Sequence, residues 1–122
     1  MDSPARFKDL CLDARDHQAL ADWWCRAMGY RRRVGPSGPR PASDPVPLVD
    51  PAGAGPALWV NRVIEDKVVK NRLHFDVDGD VEALLALGAT LVRGRDEEIG
   101  WDVLADPEGN EFCVFAARRS AG

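Results

Sequence analysis

The stretch that decides the fold is Leu104–Phe115, with the sequence LADPEGNEFCVF. It places in direct succession a strand, a tight turn that begins at Asp106 and Pro107 and ends at Gly109, and a second strand. This is the pattern of a β-hairpin. An earlier stretch, Leu48–Val60 with the sequence LVDPAGAGPALWV, repeats the design. The repetition predicts that the chain consists of two similar halves.

Each half also contains the start and stop signals of one helix. Asp16 and Asp80 are suited to cap the first turn of a segment in which apolar residues recur at helical spacing. Gly29 and Gly88 follow these segments, at the position where a left-handed C-terminal cap favours glycine. The two predicted helices are 17–28 and 81–87.

Short apolar or alternating segments supply the strands. Residues 35–47 contain five prolines and two glycines, which predicts a loop, and the charged segment 64–70 predicts a linker between the halves. Each half then follows the order strand, helix, strand, strand, strand, and the tail from Arg118 is expected to lack structure. The predicted strands are 6–13, 30–34, 46–49 and 57–63, then 72–77, 89–93, 99–105 and the second arm of the opening hairpin.

The composition is that of one soluble globular domain. The chain has 122 residues, of which 45% are hydrophobic and 30% are charged. A chain of this length can bury a core without disulfides or metals. The net charge of −4 argues against a nucleic-acid-binding protein, which usually shows a basic face. The one basic run, Arg31–Arg33, is interpreted as the solvated end of a strand.

The three cysteines, Cys11, Cys25 and Cys113, form no CxxC motif. Their odd number and spacing argue against a disulfide framework and predict reduced thiols. No apolar run approaches the ~18 residues that a membrane span needs. The first residues also lack the pattern of a secretory signal. We therefore expect a cytoplasmic protein that does not contact membranes.

A βαβββ module used twice, with Asp-Pro-x-Gly before each closing strand, resembles the vicinal oxygen chelate superfamily, which includes glyoxalase I, extradiol dioxygenases and bleomycin- and fosfomycin-resistance proteins. Within it, the chain is similar to small bacterial glyoxalase-like domain proteins. The residues that carry this narrower resemblance are Asp16–Gly29, Lys70–Asp76, and Trp101 with Asp106–Cys113. The resemblance implies an α+β fold: one domain of residues 1–122, with modules at about 6–63 and 71–117. Their curved mixed sheets would enclose a cleft, with the helices outside.

The resemblance also implies where a metal would bind. Metal-dependent relatives hold the ion with His, Gln or Glu side chains on the first and last strands of each module. Here these positions fall at Asp9, at His74, at Cys113 and among Ala57–Trp59, so one expected carboxylate is a thiol and another ligand is absent. The prediction is that no standard divalent-metal site is present. If a metal does bind, its ligands would be Asp9, His74 and Cys113, a donor set that zinc accepts.

Strand alternation predicts which side chains share a face. His74 and Asp76 lie two residues apart, and the pair could supply a base and a carboxylate, which makes them the catalytic candidates. Trp101 joins the cleft side only if its strand runs in the appropriate sense. The alternatives are core packing for Trp59 and Trp101 and a buried apolar thiol for Cys113. The predicted ligand-binding residues are Asp9, Trp59, Asn61, His74, Trp101 and Cys113.

Three functions stay open at this point. The favoured hypothesis is a small-molecule-binding protein that sequesters a cationic or aromatic ligand stacked on tryptophan. The alternative is a metal-dependent lyase, isomerase or dioxygenase that acts on a small oxygenated metabolite. A domain with no retained chemistry is the third. The expected partner is a small molecule rather than nucleic acid or membrane, and repeat symmetry also permits a two-fold homodimer.

Overall fold

The computed structural model describes residue 4 and residues 6–116. The chain divides into two compact units, Met1–Glu65 and Asp66–Gly122. The boundary falls inside the segment 64–70 that was predicted to link the two halves. The tail predicted from Arg118 lies outside the described residues. Within the described part of the chain, neither helix is long and apolar enough to cross a membrane.

Unit 1 contains one helix and a four-stranded mixed sheet. The strand order is β1-β4-β3-β2; β1 is parallel to β4, and the other neighbouring pairs are antiparallel. The elements are β1 (Leu10–Ala14), α1 (His17–Met28), β2 (Arg31–Arg32), β3 (Val46–Val49) and β4 (Leu58–Arg62).

Unit 2 repeats this topology. Its sheet has the order β5-β8-β7-β6, again with the first pair parallel and the others antiparallel. The matching strand orders confirm the α+β fold of two βαβββ modules. The elements are β5 (Phe75–Gly79), α2 (Val81–Leu87), β6 (Thr90–Arg93), β7 (Asp102–Ala105) and β8 (Glu111–Ala116).

The helix boundaries and caps are as predicted. The Asp16 carboxylate accepts a hydrogen bond from the Ala19 backbone N–H at 3.1 Å. The Asp80 carboxylate caps α2 in the same way. Gly29 and Gly88 end the helices with φ of 72° and 119°, a backbone region that glycine enters without strain.

The two Asp-Pro turns also have the same construction. In each, the glycine N–H donates to the aspartate carbonyl three residues before it, at 2.9 Å from Gly53 to Asp50 and 2.9 Å from Gly109 to Asp106. Both glycines have positive φ, 73° and 88°. The turn chemistry that suggested an internal repeat is therefore confirmed in both units.

The core of unit 1 lies mainly on the face of its sheet that α1 covers. In unit 1, Leu58 and Val60 of β4 are buried, while Trp59 and Asn61 between and after them are half-buried. Helix α1 packs on β4 and β3 with the fully buried Trp24 among its side chains. The alternation leaves Trp59 and Asn61 on the face opposite this core.

Several strands are shorter than predicted because a strand ends where its partner ends. β1 begins at Leu10, not at residue 6. The Leu10 N–H donates to the Ala57 carbonyl, and the preceding residue, Pro56, has no N–H with which to extend the pairing. β2 shrinks from 30–34 to two residues paired with β3. β7 begins at Asp102 rather than 99, because the Asp96 side chain binds the Ile99 N–H in a turn.

The position of β5 also depends on its partner strand, and it begins and ends later in the sequence than predicted. It spans Phe75–Gly79 rather than 72–77. Phe75 pairs with Phe112 of β8, and the segment before β8 is the Asp106 turn, so no strand is available to pair with residues 72–74. Leu73, which belongs to the predicted strand 72–77, lies before β5 and is 79% exposed. At its other end β5 extends two residues beyond the predicted strand, to Gly79.

Candidate functional site

One face of unit 2 gathers three of the predicted residues. Asp76 in β5 and Cys113 in β8 are direct neighbours across the parallel pair. His74 lies one residue before β5 and reaches the same place. We call these three side chains, with Trp101 and Phe115, the His74 cluster.

The polar atoms of this cluster are in contact. His74 Nδ1 lies 3.2 Å from Asp76 Oδ1 and 3.8 Å from Cys113 Sγ. One donor atom from each of these three side chains lies within 4.8 Å of the others. His74 and Asp76 are partly open to solvent, whereas Cys113 is only 7% exposed.

Two aromatic side chains adjoin the polar group. β7 runs antiparallel to β8 with Val103 opposite Cys113, so Trp101, two residues earlier, comes beside Phe115. The rings are 5.5 Å apart between centroids and tilted by 34°. Against the larger opposing effect of burial, an interaction with the Trp101 side chain lowers the pKa of the Cys113 thiol. The strand sense, which the sequence leaves open, therefore puts Trp101 on the cluster's face.

Cys113 is held in its protonated form. Burial raises the pKa of its thiol above the ordinary value, and the negative charge of Asp76 and a hydrogen bond to that carboxylate raise the pKa further. A thiol, rather than a thiolate, is a weak nucleophile. Cys113 is thus suited to donate a hydrogen bond to Asp76 and not to attack a substrate.

This account predicts the reactivity of Cys113. The Asp76→Asn substitution removes a nearby negative charge, so the pKa of Cys113 is expected to fall and its alkylation by iodoacetamide at pH 8 to accelerate about threefold to tenfold. Peptide-resolved mass spectrometry measures the rate, and the exposed Cys11 in the same sample serves as an internal control. An unchanged Cys113 rate would contradict the role assigned to Asp76.

Three of the predicted residues, Asp9, Trp59 and Asn61, lie in unit 1. The Trp59 indole N–H donates to Asp9 Oδ2 at 2.9 Å, and Lys8 forms an ion pair with the same oxygen at 2.8 Å. The hydrogen bond from Lys8, followed by that from Trp59, holds the pKa of Asp9 below its ordinary value despite partial burial. Asn61 follows on the same face of β4, opposite Asp13.

Two arginines cover the Trp59 ring, which sequence reasoning missed. The guanidinium carbons of Arg33 and Arg40 lie 5.6 Å and 5.3 Å from the ring centroid. These are cation–π distances, so the ring already has cationic partners. The run Arg31–Arg33 was interpreted only as a solvated strand end. No local signal indicates the contact, because the path of the proline-rich loop brings Arg40 to the tryptophan.

The fold raises the question of whether a metal would fit. His74, Asp76 and Cys113 offer nitrogen, oxygen and sulfur, the donors that zinc prefers and that harder, oxygen-seeking cations do not. Tetrahedral zinc keeps neighbouring donor atoms roughly 3.3–3.6 Å apart, which is close to the observed 3.2 and 3.8 Å. These three residues therefore fit a zinc-type ion. Asp9, which was also predicted as a possible ligand, lies in unit 1, where Lys8 and Trp59 bind its carboxylate.

A comparison with known protein families agrees with the two-module fold. A family model described as a glyoxalase-like domain matches residues 9–115. The chain belongs to this family. The match includes both hairpins and all five members of the His74 cluster. A search of curated proteins finds no match.

Solved structures show the same fold. A glyoxalase/bleomycin resistance protein/dioxygenase family enzyme from Burkholderia phytofirmans is 19% identical, covering 90% of this chain and 97% of that chain, with a TM-score of 0.68. TioX from Micromonospora is 20% identical, covering 93% and 100%, with a TM-score of 0.58. A mutant of the fosfomycin resistance protein FosX from Listeria monocytogenes, complexed with Mn(II) and a dihydroxypropylphosphonic acid, is 13% identical, covering 95% and 93%, with a TM-score of 0.66.

Proposed function

We propose that this glyoxalase-like protein binds a small cationic or aromatic molecule at the His74 cluster, without the standard divalent-metal site of its metal-dependent relatives. The observation that carries the proposal is the combination of the Asp76 carboxylate with the Trp101–Phe115 pair on one face of the unit 2 sheet. Aromatic walls with a few polar groups are typical of small-molecule sites. A ligand ammonium group gains from both the carboxylate and the indole face.

The state of the polar groups favours binding over catalysis by these side chains alone. His74 Nδ1 contacts both Asp76 and Cys113, and burial raises the pKa of the Cys113 thiol, which favours its protonated form. Side chains fixed by such contacts can orient a ligand through directional hydrogen bonds. We therefore assign His74 and Asp76 to recognition, and Trp101 to stacking.

A titration with benzylamine tests this proposal on the full chain. The ammonium group and ring of benzylamine match the two halves of the cluster, and benzamide provides a neutral control of similar size. Nuclear magnetic resonance is expected to show the largest shifts at the Trp101 indole and at the amides of His74, Asp76 and Cys113. If benzylamine shifted only other residues, or none, the proposed site would be wrong.

A second candidate is supported by the spacing of the three donor atoms. Together, His74, Asp76 and Cys113 could hold a zinc-type ion, and the protein would then be a metal-dependent lyase, isomerase or dioxygenase. A bound zinc ion supplies a Lewis acid that polarises a carbonyl or vicinal oxygens. Trp101 and Phe115 would hold the apolar part of the substrate beside it.

A further inference from the structure

Unit 1 contains a cavity of about 280 Å³ that the proposed function does not use. It lies between β2, the first turn of α1 and the proline-rich loop. Its walls are largely apolar, with Val34, Val46 and several prolines, and its polar rim carries Arg32, Arg33 and Arg40. Two of the three arginines in the sequence's one basic run therefore line a concave surface.

The three arginines differ in how far their charge is already neutralised. Arg32 forms an ion pair with Asp22 at 2.9 Å and also donates to the Gln18 side chain at 2.7 Å. Among the described residues, no carboxylate lies within ion-pair distance of Arg33 or Arg40. Both instead rest on the Trp59 ring, which supports a guanidinium without neutralising it. Arg33 is also attracted by the Asp9 carboxylate, beyond ion-pair distance, and this attraction contributes to the lowered pKa of Asp9.

The cavity is also preorganised for binding by hydrogen bonds within unit 1. The buried His17 ring contacts the Asp44 carbonyl through Nε2 at 3.0 Å, and the Gln18 amide donates to the Ala42 carbonyl at 3.0 Å. These contacts fasten the proline-rich loop to α1. The prolines of the loop have fixed φ, so the loop has little conformational entropy left to lose on binding.

We propose that this cavity binds a small organic anion, with its carboxylate or phosphate group on Arg33 and Arg40 and its apolar body against the proline walls. The guanidinium fork matches both kinds of anionic group. Asp44 is the one carboxylate in the lining, so the two arginines leave the site positive within a chain of net charge −4. The volume admits a single-ring ligand and lies just below the ~300–1,000 Å³ of drug-sized sites.

This proposal does not rest on the proposed function, because the cavity shares no residue with the His74 cluster: all of its lining residues lie in unit 1 and the cluster lies in unit 2. A ligand panel separates the two proposals. Benzoate and phenyl phosphate carry the two candidate anionic groups, benzamide is neutral, and benzylamine is cationic. The two anions, but not the other two compounds, are expected to shift the amides of Gly38, Ala42 and Val46 in nuclear magnetic resonance spectra of the full chain.

Substitutions at the arginines identify what holds the anion. The Arg33→Gln/Arg40→Gln variant is expected to bind benzoate or phenyl phosphate about tenfold more weakly or worse. Arg31→Gln is the matched control, since Arg31 is the exposed neighbour in β2 and does not line the cavity. The control is expected to bind like the wild type. Raising the salt concentration should weaken binding to the wild type more than to the double variant.

The outcomes are decisive in either direction. Binding of benzoate alone supports the proposal with a carboxylate ligand, and binding of phenyl phosphate alone supports it with a phosphate ligand. Equal binding of benzamide, undiminished binding by the double variant, or no anion binding at all would overturn it. Circular dichroism checks folding, and the single Arg40→Gln variant, with an expected loss of about threefold or more, replaces a double variant that does not fold.

Discussion

The Asp106→Ala variant is expected to lose about 3 kcal/mol of unfolding free energy or more. Asp106 is only 3% exposed. Its carboxylate accepts hydrogen bonds from the backbone N–H groups of Glu108 and Asn110, and also from the Asn110 side chain. Removing it leaves buried donors without partners, which costs more than the bonds themselves contributed. Urea unfolding monitored by circular dichroism measures the loss.

Asp50→Ala is the matched control for this prediction. Asp50 starts the equivalent turn of unit 1, and its carboxylate likewise accepts from the backbone N–H groups of Ala52, Ala54 and Gly55. It is only half-buried, so water can replace the lost carboxylate, and the expected loss is clearly smaller than that of Asp106→Ala. Equal losses in the two variants would show that burial does not set the cost.

The Cys113→Ser substitution is expected to weaken zinc binding by about 100-fold or more. If the three donors hold a zinc-type ion, one equivalent binds per chain, and Co²⁺ in its place gives a thiolate charge-transfer absorption. Cys113→Ser would abolish that absorption, while Cys11→Ser would leave it intact, because Cys11 is exposed in unit 1. Chelator competition and visible absorption provide the two measurements.

The pH dependence of zinc affinity has a definite sign. Zinc displaces the thiol proton, and burial followed by the charge of Asp76 raises the pKa of Cys113. Affinity should therefore increase as the pH rises through the neutral range toward that pKa. The second candidate function fails if zinc binds equally well to Cys113→Ser, or if it does not bind to the wild type.

Local signals predicted most of the fold. Helix α1 spans the predicted residues because its cap at Asp16 and its stop at Gly29 are specified within a few positions. The two Asp-Pro turns set the hairpins in the same way. Strand starts were predicted less well, since the start of β5 at Phe75 depends on where β8 begins, 36 residues along the chain. That information is not local.

The candidate site could be predicted only in part. Alternation placed His74 and Asp76 on one face, and the structure finds their side chains in contact. Whether Cys113 and Trp101 joined them depended on strand register and sense, which a two-residue period does not specify. The arginines on Trp59 depended on the path of an irregular loop, for which no periodic signal exists. A two-fold homodimer and a cytoplasmic location stay predictions.

The affinity of benzylamine for Asp76→Asn, compared with Asp13→Asn, tests the central claim most directly. Asp13 is an exposed strand aspartate of unit 1, and within the described residues it forms no ion pair. Calorimetry is expected to show roughly fivefold weaker binding to Asp76→Asn, and wild-type binding to Asp13→Asn. Equal affinity for the two variants, or wild-type protein that does not bind benzylamine, would contradict a ligand site at the His74 cluster.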